Sequence, residues 1–208
     1  MRNDEQEVQE KEIRRCDRLL FLAVGKGRPN LVTRLLDLGA DRECRLGIFQ
    51  TTPLMEAIRE KQWNIARLLL KRGADVNATS EYLDTPLSMA VFQATPGFLT
   101  LLLKKGASVN SRHSTGTTPF HTAASQSKLA SMVLLLKWGA DINARDNHGM
   151  TPLMRAVLQN QVHAVSFLLI HGADAAAKTS HQRDALYFAR VRSHDEITEL
   201  LLQASDKA

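Results

Sequence analysis

The chain has 208 residues, 44% hydrophobic and 24% charged, which is the balance of an ordinary globular domain. No apolar run approaches the roughly 20 residues that a membrane-spanning helix needs, and the polar, acidic first dozen residues exclude a secretory signal or a transit peptide. Two cysteines, Cys16 and Cys44, are too few for a disulfide framework and favour the cytoplasm and/or nucleus. The net charge of +5 is too small to indicate nucleic-acid binding by itself.

A Thr-Pro motif recurs along the chain every 33 residues, at Thr52, Thr85, Thr118 and Thr151, and a Gly-Ala pair follows each Thr by 21 residues. Two markers in fixed phase indicate tandem repeats. The spacing continues into degenerate copies at both ends, which predicts six units in one domain over residues 1–208. We expect a complete small protein whose units cover about 14–46, 47–79, 80–112, 113–145, 146–178 and 179–208, with the first and last units acting as caps.

Each unit predicts two short helices and a turn. The Thr is a good N-cap, and Pro fits the first helical position, where no N–H is needed. Apolar residues then recur at helical spacing, as in Leu54, Ala57 and Ile58, and a second helix ends at a glycine such as Gly73. Helices of about 10 residues are marginal alone. Stability must therefore come from stacking each unit on its neighbour.

These residues resemble the ankyrin repeat in period, in its Thr-Pro-Leu-His-x-Ala opening and in its Gly-Ala-Asp-Val-Asn ending, which residues 73–77 match in full. The likeness covers about residues 15–205. It implies an all-α solenoid of paired antiparallel helices with β-hairpin or turn connections, and a protein–protein interaction module. The motif His, which ties repeats together by hydrogen bonds in the family, survives only as His121. Because Met or Ser replaces it elsewhere, we expect a less regular array.

Catalytic and metal-binding constellations are missing from the sequence. The seven histidines are scattered, none is spaced from a cysteine as in a zinc site, and the glycines terminate helices instead of forming a phosphate loop. We therefore expect no enzyme, no metal and no cofactor. One alternative is a reactive thiol at Cys44, because Arg42 and Arg45 beside it would lower the thiol pKa. Lysines near helix ends suit the helix dipole, and scarce aromatics argue against single-stranded nucleic acid.

The resemblance places partners on the concave face, which hairpin tips and first helices form. By register, Phe49, Tyr82 and Phe92 lie on this face, where a repeat normally exposes polar residues. Clustered aromatics are typical of interface hot spots, although Phe92 and Leu158 could instead pack against a neighbouring repeat. The predicted protein-binding residues are Ile48, Phe49, Tyr82, Met89, Phe92, Met150, Leu158, Arg155 and Arg183. The face becomes basic towards its C-terminal end, so a partner with an apolar anchor and an acidic flank would suit it.

The leading functional hypothesis is an adaptor or regulatory subunit that binds another protein without catalysis. One alternative is an inhibitor or activating subunit of a cell-cycle protein kinase, because small all-ankyrin regulators of this kind are similar in size. Kinase-inhibitor ankyrins shorten the first helix of their second repeat, whereas Thr52–Lys61 looks full length. Another alternative is a substrate-recognition adaptor for a ubiquitin ligase or a signalling scaffold. We expect a monomer when free, and neither nucleic acid nor a membrane as partner.

The resemblance also implies a site of modification. Asparaginyl hydroxylases act on the Asn of the Gly-Ala-Asp-Val-Asn ending, which corresponds here to Asn77 and Asn143. Hydrogen bonding within the hairpin is the simpler reason for an Asn at this position.

Overall fold

The computed structural model describes residues 15–93 and 95–205, which contain twelve α-helices in six pairs. The opening of the predicted N-terminal cap and the last three residues of the tail lie outside this range. The helices are α1 (15–25 of the described residues), α2 (Pro29–Asp37), α3 (Pro53–Arg59), α4 (Trp63–Lys71), α5 (Pro86–Gln93), α6 (Pro96–Lys104), α7 (Pro119–Ser125), α8 (Leu129–Lys137), α9 (Pro152–Leu158), α10 (Val162–Ile170), α11 (Ala185–Val191) and α12 (Asp195–Ser205). We call the six pairs units 1 to 6.

The first helix of most units begins as the sequence predicts. The side chains of Thr52, Thr118 and Thr151 each accept a hydrogen bond from the backbone N–H three residues later, and Pro occupies the first turn. Asp184 takes the same role in unit 6. The N-cap bond expected at Thr95 is absent among the described residues, so α6 begins with its proline but without a side-chain cap. These caps satisfy backbone donors that have no partner inside the helix.

The helices stack in two layers. In one layer, each first helix packs on the next, in the order α3, α5, α7, α9 and α11. In the other layer, α2 packs on α4. The later second helices of this layer pack on one another in the order α6, α8, α10 and α12. One hydrophobic core runs between the layers from Leu20 to Leu201, with Phe98 and Phe120 among its largest fully buried side chains. The fold is the expected all-α solenoid of paired antiparallel helices. Among the described residues its connections are turns, with a single isolated bridge between Leu46 and Thr51.

Backbone hydrogen bonds join the tips of the turns, which we define as residues 48–50, 81–83, 114–116, 147–149 and 180–182. The N–H of the first residue of each tip donates to the carbonyl of the middle residue of the tip before it. The four distances are 3.0 Å for Glu81 to Phe49, 2.9 Å for Ser114 to Tyr82, 3.0 Å for Asn147 to Thr115 and 3.2 Å for Ser180 to His148. The tips therefore form a continuous row along one side of the stack.

His121 ties unit 4 to unit 5, as the family motif implies. Its Nδ1 accepts from the N–H of Thr118 at 3.2 Å, which leaves the proton on Nε2 to donate to the carbonyl of Met150 at 3.0 Å. Burial lowers the pKa of His121, and the bond to Met150 offsets this only in part. In unit 3, Ser88 reproduces the local bond to Thr85 but does not reach the next unit. Among the described residues, Ser88 therefore lacks the bond to the next unit that His121 makes.

Candidate protein-binding face

A cluster of half-exposed apolar side chains lies on the tips and first helices of units 2 and 3. We call Ile48, Phe49, Tyr82, Leu83 and Phe92 the aromatic patch. The rings of Phe49 and Tyr82 lie 5.9 Å apart at 51°, and Tyr82 stacks on His113 at 6.5 Å. Ile48 is 79% exposed and the three aromatic residues are each about half exposed. Sequence register correctly predicts the exposure of these four residues. Ring contacts join Phe49, Tyr82 and His113, and Phe92 borders the same depression as His113.

Leu83 belongs to this patch although the sequence interpretation misses it. Its side chain is 46% exposed and its backbone has a φ of 62°, in the left-handed region. The equivalent residues of the other tips are Gln50, Gly116, Gly149 and Gln182, all with positive φ. A leucine there costs about 1–2 kcal/mol that a glycine would avoid. Alignment of the tips at the 33-residue period would have shown that Leu83 occupies an exposed turn position, because glycine stands at two of the equivalent positions.

Small polar side chains make the first helix of unit 4 a trough between larger neighbours. Thr122 and Ser125 of α7 lie between Phe92 on α5 and Leu158 on α9. A depression of about 220 Å³ on one side of α7 is bordered by Phe92 and His113, and one of about 230 Å³ on the other side by Leu158. Their lining offers hydroxyl and amide groups. Leu158 is half-buried as a wall of this trough, so the predicted packing against a neighbour is correct in part.

Met150 is not the exposed apolar residue that the sequence predicts. It is only 9% exposed and packs in the core. The reason is the closed turn around it: its N–H donates to Oδ1 of Asp146, and its carbonyl accepts from the N–H of Asp146 and from His121. These bonds turn the side chain inwards. Met89 is likewise half-buried against the core.

Arg155 does not present a free positive charge as expected. Its guanidinium donates to Oδ2 of Asp146 at 2.5 Å, and the Asp146 side chain is fully buried. Burial by itself raises the pKa of Asp146, but hydrogen bonds from Arg155 and from the N–H groups of Met150 and His148 outweigh it, so that the pKa is lowered. Arg155 therefore holds the tip of unit 5 in place.

Exposed basic residues remain near the C-terminal end of the stack. We define the basic end as His148, His181, Arg183, Arg190 and Arg192, all of which are exposed. Arg183 lies over the ring of Tyr187, 5.0 Å from its centroid, which keeps the guanidinium at the surface. Of the two arginines predicted for the site, Arg183 alone has the expected exposure.

Two models of the ankyrin repeat family match the sequence. One, described as three copies of the repeat, matches residues 5–80 and 145–208, and the other, described as many copies, matches residues 120–169. Together they cover well over half of the chain. The protein belongs to the ankyrin repeat family. Its members are generally non-catalytic protein-interaction modules. No curated protein matches this ankyrin protein in sequence.

The third unit of this ankyrin protein lies in the stretch that neither family model matches, residues 81–119. This stretch contains Tyr82, Leu83 and Phe92, and its Thr85-Pro86 opening still starts a normal first helix.

The two candidate hydroxylation residues bridge neighbouring units. Nδ2 of Asn77 donates to the carbonyl of Gly106 at 2.9 Å, and its Oδ1 accepts from the N–H of Ser108 at 2.8 Å. Oδ1 of Asn143 accepts from the N–H of Asp174 at 2.9 Å. These bonds support the structural role of both asparagines, and their hydroxylation stays a prediction.

Cys44 does not have the environment of a reactive thiol. It is buried, and burial together with the nearby Asp17, Asp41 and Glu43 raises its pKa to about 12. The alternative based on Arg42 and Arg45 is therefore wrong, because acidic neighbours and loss of solvent dominate.

In residues 15–93 and 95–205, His, Cys, Asp and Glu do not form any group of three or more that could hold a metal ion. Within the same ranges, no helix is both long and apolar enough to cross a membrane.

Proposed function

We propose that this ankyrin protein is a non-catalytic adaptor or regulatory subunit that binds its partner protein through the aromatic patch. The observation that carries the proposal is the continuity of the patch. Phe49 and Tyr82 are in ring contact across two units, each about half exposed, with Ile48 and Leu83 beside them. Contiguous apolar surface with aromatic members is typical of interface hot spots.

The patch is large enough to supply a substantial share of an interface energy. Full burial of a large apolar side chain contributes about 1.5–3 kcal/mol. Since the five side chains are between 46% and 79% exposed, covering them would contribute roughly 5 kcal/mol before the costs of association.

The ordered backbone of the tip that holds Tyr82 and Leu83 supports the same proposal. Hydrogen bonds fix the tip on both sides, since Glu81 donates to Phe49 and Ser114 donates to the carbonyl of Tyr82. A tip that is already ordered loses little conformational entropy when a partner binds.

The experiment is affinity capture from a native lysate with matched variants. Ile48 and Ile170 are the same residue type with 79% and 78% exposure, but Ile48 lies in the patch and Ile170 ends α10 in the other helix layer. We expect Ile48→Ser and the double variant Tyr82→Ala/Phe92→Ala to lose partners that Ile170→Ser retains. Circular dichroism verifies that all baits are folded. Equal recovery by every folded bait, or equal loss with Ile170→Ser, would refute the proposal.

The identity of a captured partner separates the finer alternatives. A protein kinase subunit would favour the regulator of a cell-cycle kinase, and a ubiquitin ligase component would favour the substrate adaptor. The first helix of unit 2, α3, has seven residues, as do α7, α9 and α11. Since kinase-inhibitor ankyrins shorten this helix, its length favours an activating or scaffolding subunit over an inhibitor. The proposal keeps the cytoplasm or nucleus as compartment, on the low cysteine count alone.

A further inference from the structure

We propose that the partner presents an extended peptide segment that runs along the row of tips, with an apolar anchor on the aromatic patch and acidic residues over the basic end. This inference deepens the proposed function and rests on it. It specifies the chemistry of the segment, its conformation and the spacing between its two recognition elements.

The charge distribution along the face differs between its two ends. Residues 45–93, which contain the patch, have six Lys or Arg and five Asp or Glu, so they are nearly neutral. The tip and first helix of unit 6, residues 180–192, have three Arg and one Asp, whereas the following helix α12, in the other helix layer, begins with Asp195, Glu196 and Glu199. The single acid on the first helix, Asp184, caps α11 with its side chain. An acidic segment is the complement of this end, and a neutral apolar one is the complement of the patch.

Arg155 lines the depression of about 230 Å³ beside α7, but its charge is already paired. Its guanidinium is paired with the buried carboxylate of Asp146. On the tips and first helices of units 5 and 6, the arginines that are exposed are Arg183, Arg190 and Arg192, all in unit 6. The acidic element of the partner is therefore expected to reach unit 6 and not to stop at unit 5.

The trough on α7 favours an extended chain between the two ends. It offers the hydroxyl groups of Thr122 and Ser125 and the amides of Gln126 and Gln159, in depressions of about 220 and 230 Å³. An extended segment presents free backbone N–H and C=O groups to such a lining, whereas a helix satisfies these groups internally. The small side chains of α7 also leave room for a backbone to approach between Phe92 and Leu158.

The spacing of the two recognition elements follows from the number of units between them. The tip that holds Tyr82 and the tip that holds His181 are three units apart. At 8–10 Å for each helix layer, the separation is roughly 24–30 Å. An extended chain covers this distance in about eight or nine residues, and an α-helix would need about 18. The number of residues between anchor and acidic cluster therefore reports the conformation of the segment.

The test is selection from a library of random 24-residue peptides displayed on phage, with the folded full chain as bait. We expect enriched peptides to carry an aromatic or large aliphatic pair separated by about six to ten residues from an acidic cluster. For a synthetic peptide of that class, Ile48→Ser and the double variant Arg183→Glu/Arg190→Glu should each raise the Kd at least tenfold at 150 mM salt. The controls Ile170→Ser and Lys104→Glu/Lys105→Glu should change it less than twofold, since both lysines are exposed at the end of α6.

Several outcomes would overturn the inference. They are the absence of enrichment, enriched peptides without an acidic cluster, a spacing near 18 residues, or equal sensitivity to the control variants. The proposed function is judged separately by the lysate capture. If capture depends on Ile48 but is indifferent to Arg183→Glu/Arg190→Glu, the function stands and the acidic peptide is wrong. If capture does not depend on the patch, both proposals fail.

Discussion

The ion pair between Asp146 and Arg155 allows a sharp test of how unit 5 is held together. In the variant Asp146→Asn, the retained Oδ1 can still accept from the N–H groups of His148 and Met150, at 2.8 and 3.0 Å. The new amide NH₂, however, faces the guanidinium that Oδ2 now accepts from at 2.5 Å. The substitution therefore removes the charge pair and places a donor against a donor, while the shape of the turn is kept.

The expected cost follows from the burial of the two groups. Loss of one partner of a buried pair typically costs about 3–5 kcal/mol. The Asp146 side chain is fully buried, but the Arg155 side chain is 32% exposed, so water can solvate part of the orphaned guanidinium. We therefore expect a loss near the lower limit, about 3 kcal/mol in the free energy of unfolding.

Urea unfolding followed by circular dichroism measures this loss. The matched control is Asp37→Asn, which removes a pair between Asp37 and Arg72 whose side chains are 61% and 35% exposed and should cost below about 1 kcal/mol. The double variant Asp146→Asn/Arg155→Leu should recover part of the stability, because no unpaired guanidinium remains. If Asp146→Asn costs no more than Asp37→Asn, the assignment of Arg155 to a structural role is refuted.

Three other properties are open to simple measurement. The pKa of His121 is lowered from 6.5 in the folded chain, so the unfolded chain binds a proton at this residue more readily. The free energy of unfolding should therefore fall as the pH drops below about 6.5. The variant His121→Gln should flatten this pH dependence, and an unchanged pH profile in the variant would contradict the prediction. Leu83→Gly should raise the free energy of unfolding, measured with urea, by up to about 1 kcal/mol after the entropy of glycine is counted, and should weaken partner capture. A destabilised Leu83→Gly would show that the positive φ is not strained. Iodoacetamide at pH 8 should label Cys44 only after unfolding, because the thiol is buried and its pKa is about 12, whereas rapid labelling of the folded chain would show that the site opens.

The architecture could be predicted from sequence because the same short motifs recur in each unit and specify the same local structure. Thr52, Thr118 and Thr151 act as N-caps through bonds to residues three positions away, so the same short motif gives the same helix start in each unit. Period and phase then align the apolar residues of the stacked helices. Where the local signal is incomplete, as at Thr95, the helix still begins at the proline although the side-chain bond is missing.

The binding face could be predicted only where register alone decides exposure. Phe49, Tyr82 and Phe92 are exposed because their positions project from tips and first helices. Met150 and Arg155 are different, since both are determined by Asp146, whose carboxylate is buried inside the turn and binds each of them. Such a contact depends on the closed shape of the turn, and the repeat period of the sequence does not predict it.

The row of hydrogen-bonded tips also has a consequence for how the array opens. The helices pack within a unit or on the next unit, so each end can fray without disturbing the middle. The tips add one backbone bond at each of four junctions, from Phe49 to Ser180. A ligand bound across several tips would couple the opening of the units, since no single unit could then open without release of the ligand. Amide hydrogen exchange would slow in units 2 to 6 together, far from the residues that the ligand touches.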